Sequence, residues 1–159
     1  MTPDELMTVV AALARRAGDD AESRGAGIAA AIHRHTGHRW VGVYRVTDTE
    51  VQILGYSGPG APAYPRFPRD QGLTATAVAT GRSVVVDDVG SDPRYLTAFG
   101  STRSEMIVPV LHPDTGVVLG TIDVESERTA AFGAEIRELL ERCAAAVTPL
   151  YDADPDRPR

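Results

Sequence analysis

Hydrophobic positions three and four residues apart predict helices at both ends of the chain. One such pattern covers residues 3–16, and it begins with Thr2 and Glu5 in the arrangement of a capping box. The same spacing predicts a second helix over residues 21–35 and a last helix over residues 135–151, where one apolar stripe continues to the end. The middle of the chain has a different pattern.

Between these helices, apolar residues alternate with a period of two, which is typical of strands. Residues 40–46 and 51–56 form one predicted hairpin, and residues 104–110 and 117–126 form another. A brief strand over residues 83–86 precedes the second hairpin. Because consecutive hairpins favour antiparallel pairing, we predict an α+β fold, with an antiparallel central sheet covered by helices.

The connections between these elements contain further local signals. Residues 57–70 are rich in proline and glycine, and a loop of this length inside a compact domain is often a binding loop. A short helix is predicted over residues 74–80, where Thr74 either caps the helix or faces a site. Residues 90–95 are predicted to form a helical turn capped by Asp92.

Three acidic residues lie near the ends of the two strands of the second hairpin. Glu105 opens the first strand, while Asp123 and Glu125 are two residues apart near the end of the second. Residues two apart share a face, and the start of one antiparallel strand lies beside the end of its partner. We therefore predict that the three carboxylates converge, and that a cationic or zwitterionic ligand relieves their repulsion. The alternative is that they lie in solvent, as most carboxylates do.

Aromatic residues provide candidate walls for such a site. Trp40 and Tyr44 are four residues apart on a predicted strand and share a face, either as core residues or as a pocket wall. Tyr64 lies in the proline-rich loop and is a candidate lining residue. The two strand residues and the loop residue thus extend the candidate site beyond the acids.

Composition excludes several classes of function. The 159 residues have a net charge of −6 without a block of Lys or Arg, so we expect no nucleic-acid partner. No apolar run approaches the roughly 20 residues of a membrane span, and the N-terminus lacks a signal-peptide pattern, so we expect no membrane association and a cytoplasmic location. The single cysteine, Cys143, excludes an intrachain disulfide. His33, His35 and His38 do not share a helix face, and we predict no metal site and no cofactor.

Six segments in order resemble the motifs N-W-V-G-F-Y, L-G-P-F-Q-G, R-G-V-C-G-x-A, D-V, S-E-I-V-x-P and G-V-L-D-I-D-S of a known family. On these motifs the chain resembles a GAF domain, the small-molecule-sensing fold related to PAS, over residues 21–151. Residues 1–20 are then an N-terminal helix and residues 152–159 a polar, disordered tail. Within the GAF superfamily the chain is most similar to the free methionine-(R)-sulfoxide reductases. The segments are WVGVY (40–44), LG (54–55), QGLTATA (71–77), DDV (87–89), RSEMIVP (103–109) and GTIDVES (120–126).

The family reduces its substrate with cysteine thiols, and here this chain departs from the pattern. The three cysteine positions of the family fall on Tyr64, Thr74 and Ala98. Cys143 lies in the apolar stripe of the last helix, where a cysteine acts as a small hydrophobic residue. Thiol-based sulfoxide reduction is therefore not expected, since it requires a thiolate and disulfide exchange.

The acids with which the family holds the amino group and the sulfoxide of its substrate correspond to Glu105, Asp123 and Glu125. Three functions stay open. One is a sensor module, a homodimer that binds a small polar, amino-acid-like metabolite and signals to a separate partner. Another is an enzyme without thiols, in which the three acids perform acid–base chemistry on a small substrate. The third is an interaction protein with a vestigial pocket. The ligand-binding residues would be Trp40, Tyr44, Tyr64, Thr74, Glu105, Asp123 and Glu125.

Overall fold

The computed structural model describes residues 1–96 and 99–152. Within them, six strands form one antiparallel sheet in the order β3-β2-β1-β6-β5-β4, so the predicted α+β fold is confirmed. The predictions for Ala98 and for residues 153–159 of the tail lie outside the described residues. The helices are α1 (Pro3–Arg15), α2 (Ala21–Thr36), α3 (Gly72–Thr80) and α4 (Ala134–Ala146), and the strands are β1 (Trp40–Val46), β2 (Glu50–Ser57), β3 (Arg66–Pro68), β4 (Val84–Val86), β5 (Ser104–Leu111) and β6 (Val118–Ser126).

The start of helix α1 follows the local sequence signal. Thr2 Oγ1 accepts a hydrogen bond from the Glu5 backbone N–H at 3.1 Å, and Glu5 Oε2 accepts one from the Thr2 backbone N–H at 2.6 Å. This reciprocal pair is the predicted capping box, and it satisfies two backbone donors that the helix leaves unpaired.

One face of the sheet packs against helices α1, α2 and α4 and forms the main hydrophobic core. Alternate strand residues such as Val41, Met106 and Ile122 point to this face and are fully buried. Leu6 and Val10 of α1 belong to the same core, so the N-terminal helix packs with the rest of the domain. Burial of this apolar surface is the main source of stability.

The opposite face is covered by α3, β3 and the connecting loops, and it contains the remaining alternate residues of the same strands. Trp40, Gly42 and Tyr44 of β1 lie on it. A Cβ at Gly42 would overlap the Trp40 ring and lie 2.9 Å from Tyr44 Cε2, so glycine allows the two rings to pack over this position. The candidate site lies on this face.

The turn after β4 differs from its prediction by one residue at its start. A 3₁₀ turn covers Val89–Ser91, and its cap is Asp88, whose Oδ1 accepts a hydrogen bond from Gly90 N–H at 3.0 Å. Asp92 lies after this turn, and its Oδ1 accepts a hydrogen bond from Arg94 N–H at 2.9 Å. Asp92 thus caps a second turn, which the Tyr95 N–H closes on the Asp92 carbonyl oxygen at 3.2 Å, so its capping role is as predicted, while the 3₁₀ turn lies before it.

The last helix is shorter than its apolar stripe predicts. Helix α4 ends at Ala146, and a separate 3₁₀ turn covers Thr148–Tyr151. Pro149 lacks a backbone N–H and disfavours helical geometry at the residue before it, which explains the interruption. Among the described residues, no helix combines the length and apolar character that a membrane span requires.

Candidate functional site

The strand register brings the three predicted acids together. Glu105 of β5 lies directly opposite Glu125 of β6, and Asp123 lies two residues before Glu125 on the same face. On the other side of β6, Trp40 pairs with Glu125 and Gly42 pairs with Asp123. The convergence of the carboxyl groups is therefore confirmed, and their role in binding stays a prediction.

These acids are not in solvent. Asp123 is 5% exposed and Glu125 is 1% exposed. The Tyr95 hydroxyl donates a hydrogen bond to Glu125 Oε1 at 3.3 Å. Within the described part of the chain, Asp123 Oδ1 and Glu125 Oε2 are buried without a hydrogen-bond partner. The Thr121 and Thr102 hydroxyls lower the pKa values of Asp123 and Glu125, but neither makes a well-aligned hydrogen bond to these two oxygens in the described residues, so both oxygens can accept from a further donor.

Burial raises the pKa of each carboxyl group, because a low-dielectric environment disfavours the charged form. The pKa of Asp123 rises to about 8 and that of Glu125 to about 7. The pKa of Glu105 also lies well above its ordinary value, through burial and then through the charges of Glu125 and Asp123. Burial and the same acids raise the pKa of Tyr44, whose hydroxyl therefore stays protonated. Near neutral pH, these raised pKa values favour the protonated forms of the acids.

A small cavity of about 40 Å³ lies over Glu105 and Asp123. It has room for about three water molecules, far less than a whole amino acid of ordinary size. Its walls come from β1, β5 and β6, from the first turn of α3, and from the loops before β3 and after β4. The lining residues are Tyr44, Pro62, Tyr64, Phe67, Gly72, Leu73, Thr74, Leu96, Glu105, Ile107 and Asp123.

Five of the seven predicted ligand-binding residues therefore line the cavity, and two lie behind it. Glu125 is buried next to Glu105. Trp40, 1% exposed, donates its indole N–H to the Gly60 carbonyl oxygen at 3.0 Å and thereby supports the proline-rich loop. Tyr64 is 48% exposed and forms the outer lip of the cavity.

Thr74 lines the cavity but does not cap helix α3. The N-cap residue is Gln71, and Thr74 is the third helical residue, with only 4% of its surface exposed. The alternative of a capping role was wrong because the helix begins two residues before Thr74, at Gly72.

The sequence did not predict the apolar residues that line the cavity. Ile107 lies two residues after Glu105, so the strand alternation that grouped the acids also predicts its position. Pro62 and Leu96 come from connections, and Phe67 comes from the short edge strand β3; no local signal places these side chains at the cavity.

Other candidate groups lie away from this cavity. His33 Nδ1 is 2.7 Å from Ser57 Oγ, and the His38 ring packs on Phe132 with a centroid distance of 4.7 Å. The Cys143 thiol is buried in the core on the helical face, and burial raises its pKa to about 12. Two larger grooves, of about 500 and 590 Å³, border helix α4, but the three buried acids line neither of them.

The fold and the site define a small-molecule-binding type of domain, and the chain belongs to the GAF domain family, whose model matches residues 20–148. This confirms the resemblance drawn from the motifs. Its relatives include the free methionine-R-sulfoxide reductase of Saccharomyces cerevisiae, 31% identical over 111 residues, which are 68% of this chain and 60% of the yeast protein. The chain thus matches less than two thirds of that relative.

Two solved structures of such reductases are also similar. The free methionine-R-sulfoxide reductase from Neisseria meningitidis, in complex with its substrate, is 29% identical with a TM-score of 0.80, covering 94% of this chain and 87% of that one. The type II enzyme from Thermoplasma acidophilum is 28% identical with a TM-score of 0.77, covering 89% and 94%. The fold of this chain therefore extends over most of both enzymes.

Proposed function

We propose that this protein binds a small amino-acid-like, zwitterionic metabolite at the cavity over Glu105 and Asp123. The observation that carries this proposal is the convergence of three carboxyl groups beside the cavity, of which those of Asp123 and Glu125 are buried and each have one oxygen without a hydrogen-bond partner in the described residues. An ammonium group offers three donors and a positive charge, so it satisfies both the missing hydrogen bonds and the repulsion. Glu125 lies behind the other two acids and acts through their electrostatics.

The similarity to free methionine-R-sulfoxide reductases supports an amino acid as the ligand, and free methionine sulfoxide is the first compound to test. Thiol-based reduction is lost in this proposal. Tyr64 and Thr74 occupy two positions where the resemblance implies cysteines, and Cys143 is buried on the other face of the sheet with a pKa of about 12. A thiol with so high a pKa is not a nucleophile at neutral pH.

Ligand entry requires the lip of the cavity to move. The loop before β3 is held at Gly60 by the Trp40 indole, and at Pro65 by a hydrogen bond from Ile53 N–H to its carbonyl at 2.8 Å. The four residues between these anchors include the lining residues Pro62 and Tyr64. Movement of this short segment would admit the ligand while both anchors hold.

The binding test compares the wild type with two isosteric variants, Glu105→Gln and Asp123→Asn, and with the surface control Asp48→Asn, an exposed position in the turn between β1 and β2. Thermal shift and calorimetric titration with L-methionine sulfoxide, L-methionine and other free amino acids should identify a ligand. Saturation at 100 times Kd should stabilise the fold by about 2.7 kcal/mol. Both site variants should lose binding, and the control should retain it. Absence of binding, or equal binding by Asp123→Asn, would contradict the proposal.

The raised pKa values favour a second candidate, a thiol-independent enzyme. Carboxyl groups with pKa values of about 8 and 7 can give and take protons near neutral pH, which is the property of a general acid or base. The test is incubation of the wild type with whichever compound binds, followed by mass spectrometry of the small molecule. A product that requires Asp123 would favour the enzyme, and an unchanged compound would favour the binding module.

As a sensor, the protein would act in the cytoplasm as a homodimer. Support for a dimer comes from the groove that α4 forms with the ends of α1 and α2, where Ile136 and Leu139 are only partly buried. Sedimentation equilibrium should give twice the 16.9 kDa mass of the chain, and a monomer at 100 μM would remove this part of the proposal.

A further inference from the structure

Strand β4 covers only part of the outer edge of β5. Its three residues pair with Glu105, Met106 and Ile107, whereas β5 continues to Leu111. Since β4 is the last strand on this side of the sheet, the segment Val108–Leu111, here called the open edge, has no strand beside it in the described structure. An unpaired edge of this kind can accept a further strand through its backbone groups.

A groove of about 500 Å³ lies along the open edge. It is lined by Val108 and Leu111 of β5, by helix α4, and by Gly81, Arg82 and Ser83, which connect α3 to β4. Leu111 is 37% exposed and is one of the few large apolar side chains that the described structure exposes. The groove therefore offers an apolar surface beside an unpaired strand, which is the combination that an added strand recognises.

The groove is also positively charged, in a chain whose net charge is −6. Arg82 and Arg137 line it, and Glu141 is the one acid among its described lining residues. Glu141 accepts a hydrogen bond from Ser83 Oγ at 2.9 Å and forms an ion pair with Arg137 at 3.5 Å. Arg82 is exposed and forms no ion pair within the described residues, so its guanidinium is available to a carboxylate from outside.

This charge decides between two kinds of partner for the open edge. Two copies of the chain joined edge to edge would present the same patch to each other, so Arg82 and Arg137 of one copy would approach those of the other. Like charges disfavour that contact. Pro109, in the middle of the open edge, also lacks the N–H that a symmetric pairing would use on both strands. An acidic segment from a different protein has the complementary charge.

We propose that this groove binds an extended acidic peptide of a partner protein, which adds a strand beside the open edge and places its carboxylates on Arg82 and Arg137. Four residues of strand span about 13 Å, so a peptide of about four to six residues fills the edge. The peptide pairs with the backbone of β5 and covers the exposed part of Leu111. This surface is separate from the groove between α4 and the ends of α1 and α2, to which the dimer was assigned.

The same elements border the peptide groove and the cavity over the acids. Helix α3 begins at the cavity with Gly72 and is followed at the groove by its C-cap residue Gly81. Strand β5 lines the cavity at Ile107 and the groove at the next residue, Val108. A protein partner at this groove therefore contacts the elements that form the cavity, as the output of a sensor requires.

The test begins with selection of phage-displayed random dodecapeptides on the immobilised full chain. Enriched peptides should carry Asp or Glu within a run of β-branched or aromatic residues. The most enriched peptide, labelled with fluorescein, is then titrated by fluorescence anisotropy. Its affinity should fall about fivefold or more in Arg82→Glu. It should be unchanged in the control Arg34→Glu, which alters the net charge equally at an exposed position of α2.

Two further titrations report how the peptide binds. Successive N–H groups of a strand point to opposite sides, so two peptides N-methylated at odd or at even positions should differ. The version whose methyl groups face β5 should bind about tenfold or more weakly, and the other should bind like the parent peptide. Leu111→Thr should weaken binding of the parent peptide about fivefold through lost apolar burial.

No enriched peptide, enriched peptides without acidic residues, or equal losses in Arg82→Glu and Arg34→Glu would overturn the proposal. Equal affinities of the two methylated peptides would exclude strand addition and overturn it as well. If the peptide dissociates a dimer of the wild type in sedimentation experiments, the open edge is an interface between copies, and the peptide site is excluded. None of these measurements uses a small molecule, so their failure is distinct from failure of the proposed function.

Discussion

The two faces of the central sheet use alternate residues of the same strands for opposite purposes. On the helical face, Val41, Met106 and Ile122 pack into one apolar core against α1, α2 and α4. On the other face, Glu105 and Asp123, the immediate neighbours of Met106 and Ile122, line a cavity; Asp123 is buried and Glu105 is partly buried. Along each strand, a single residue step thus separates the apolar core from the candidate site.

The difference shows where the stability of the domain comes from. Burial of three carboxyl groups costs free energy, because each must lose water and lie near the others. The described core residues of the helical face include no carboxyl group. The Cys143 thiol lies in this core, and burial raises its pKa to about 12, so it stays protonated at neutral pH. The helical face thus offsets the cost of the site, so substitutions on the two faces should have opposite effects on stability.

The largest effect should come from the helical face. Ile122→Ala removes a fully buried side chain and should lower the free energy of unfolding by about 3 kcal/mol, through lost burial and a residual cavity. Urea denaturation followed by circular dichroism measures this change. The control Ile122→Val should cost about 1 kcal/mol. A loss below 1 kcal/mol for Ile122→Ala would show that this face is not the stabilising one.

The adjacent residue should behave in the opposite way. The pKa of Asp123 is about 8 in the folded protein, above the value in the unfolded chain, so the native state binds more protons between pH 4 and 8. The stability that this carboxyl group contributes at low pH is therefore lost as the pH rises through 8. Asp123→Asn removes the titrating group and should stabilise the fold at pH 8 by on the order of 2 kcal/mol, and less at pH 5.

Urea denaturation of the wild type and Asp123→Asn at pH 5, 6, 7 and 8 tests this expectation. Asp48→Asn, an exposed substitution in the turn between β1 and β2, should follow the wild-type profile. If the difference in the free energy of unfolding between Asp123→Asn and the wild type does not grow from pH 5 to pH 8, burial does not raise the pKa of this carboxyl group.

The sequence predicted the parts of the site that depend on local structure. The hairpin of β5 and β6 fixes which residues oppose one another, and Gly116, with φ +74°, lies in the turn between them. From that register and the period of a strand, the convergence of Glu105, Asp123 and Glu125 follows. The capping box at Thr2 is local in the same way.

The remaining parts depend on contacts that no local pattern encodes. Pro62 and Leu96 are more than 30 residues apart in the chain, yet both line the cavity. Trp40 shares the face of the acids as predicted, but whether it lines the cavity depends on where the loop at Gly60 crosses it. The sequence thus predicted that the three acids converge, whereas the residues that line the rest of the cavity depend on tertiary packing.

A smaller effect concerns the dependence of binding on pH. An ammonium group binds the ionised carboxylates. Because the pKa values of Glu105 and Asp123 are raised, ligand binding must release protons from these carboxyl groups. The affinity for L-methionine sulfoxide should therefore rise from pH 6 to pH 8, by at most about tenfold per pH unit for one proton released. Calorimetry in two buffers of different ionisation enthalpy counts the released protons. An affinity that falls over this range would mean that the ligand binds the protonated acids.

The smallest effect tests whether the two faces are independent. Thr2→Ala removes the side chain that accepts the Glu5 N–H at the start of α1, which packs on the helical face. It should cost about 1 kcal/mol of stability, while Thr2→Ser should retain the cap and the wild-type stability. Because α1 does not contribute to the described cavity lining, the ligand affinity of Thr2→Ala should equal that of the wild type below its melting temperature. A change in affinity without unfolding would show that packing on the helical face reaches the acids through the shared strands, and the separation of the two faces would then be incomplete.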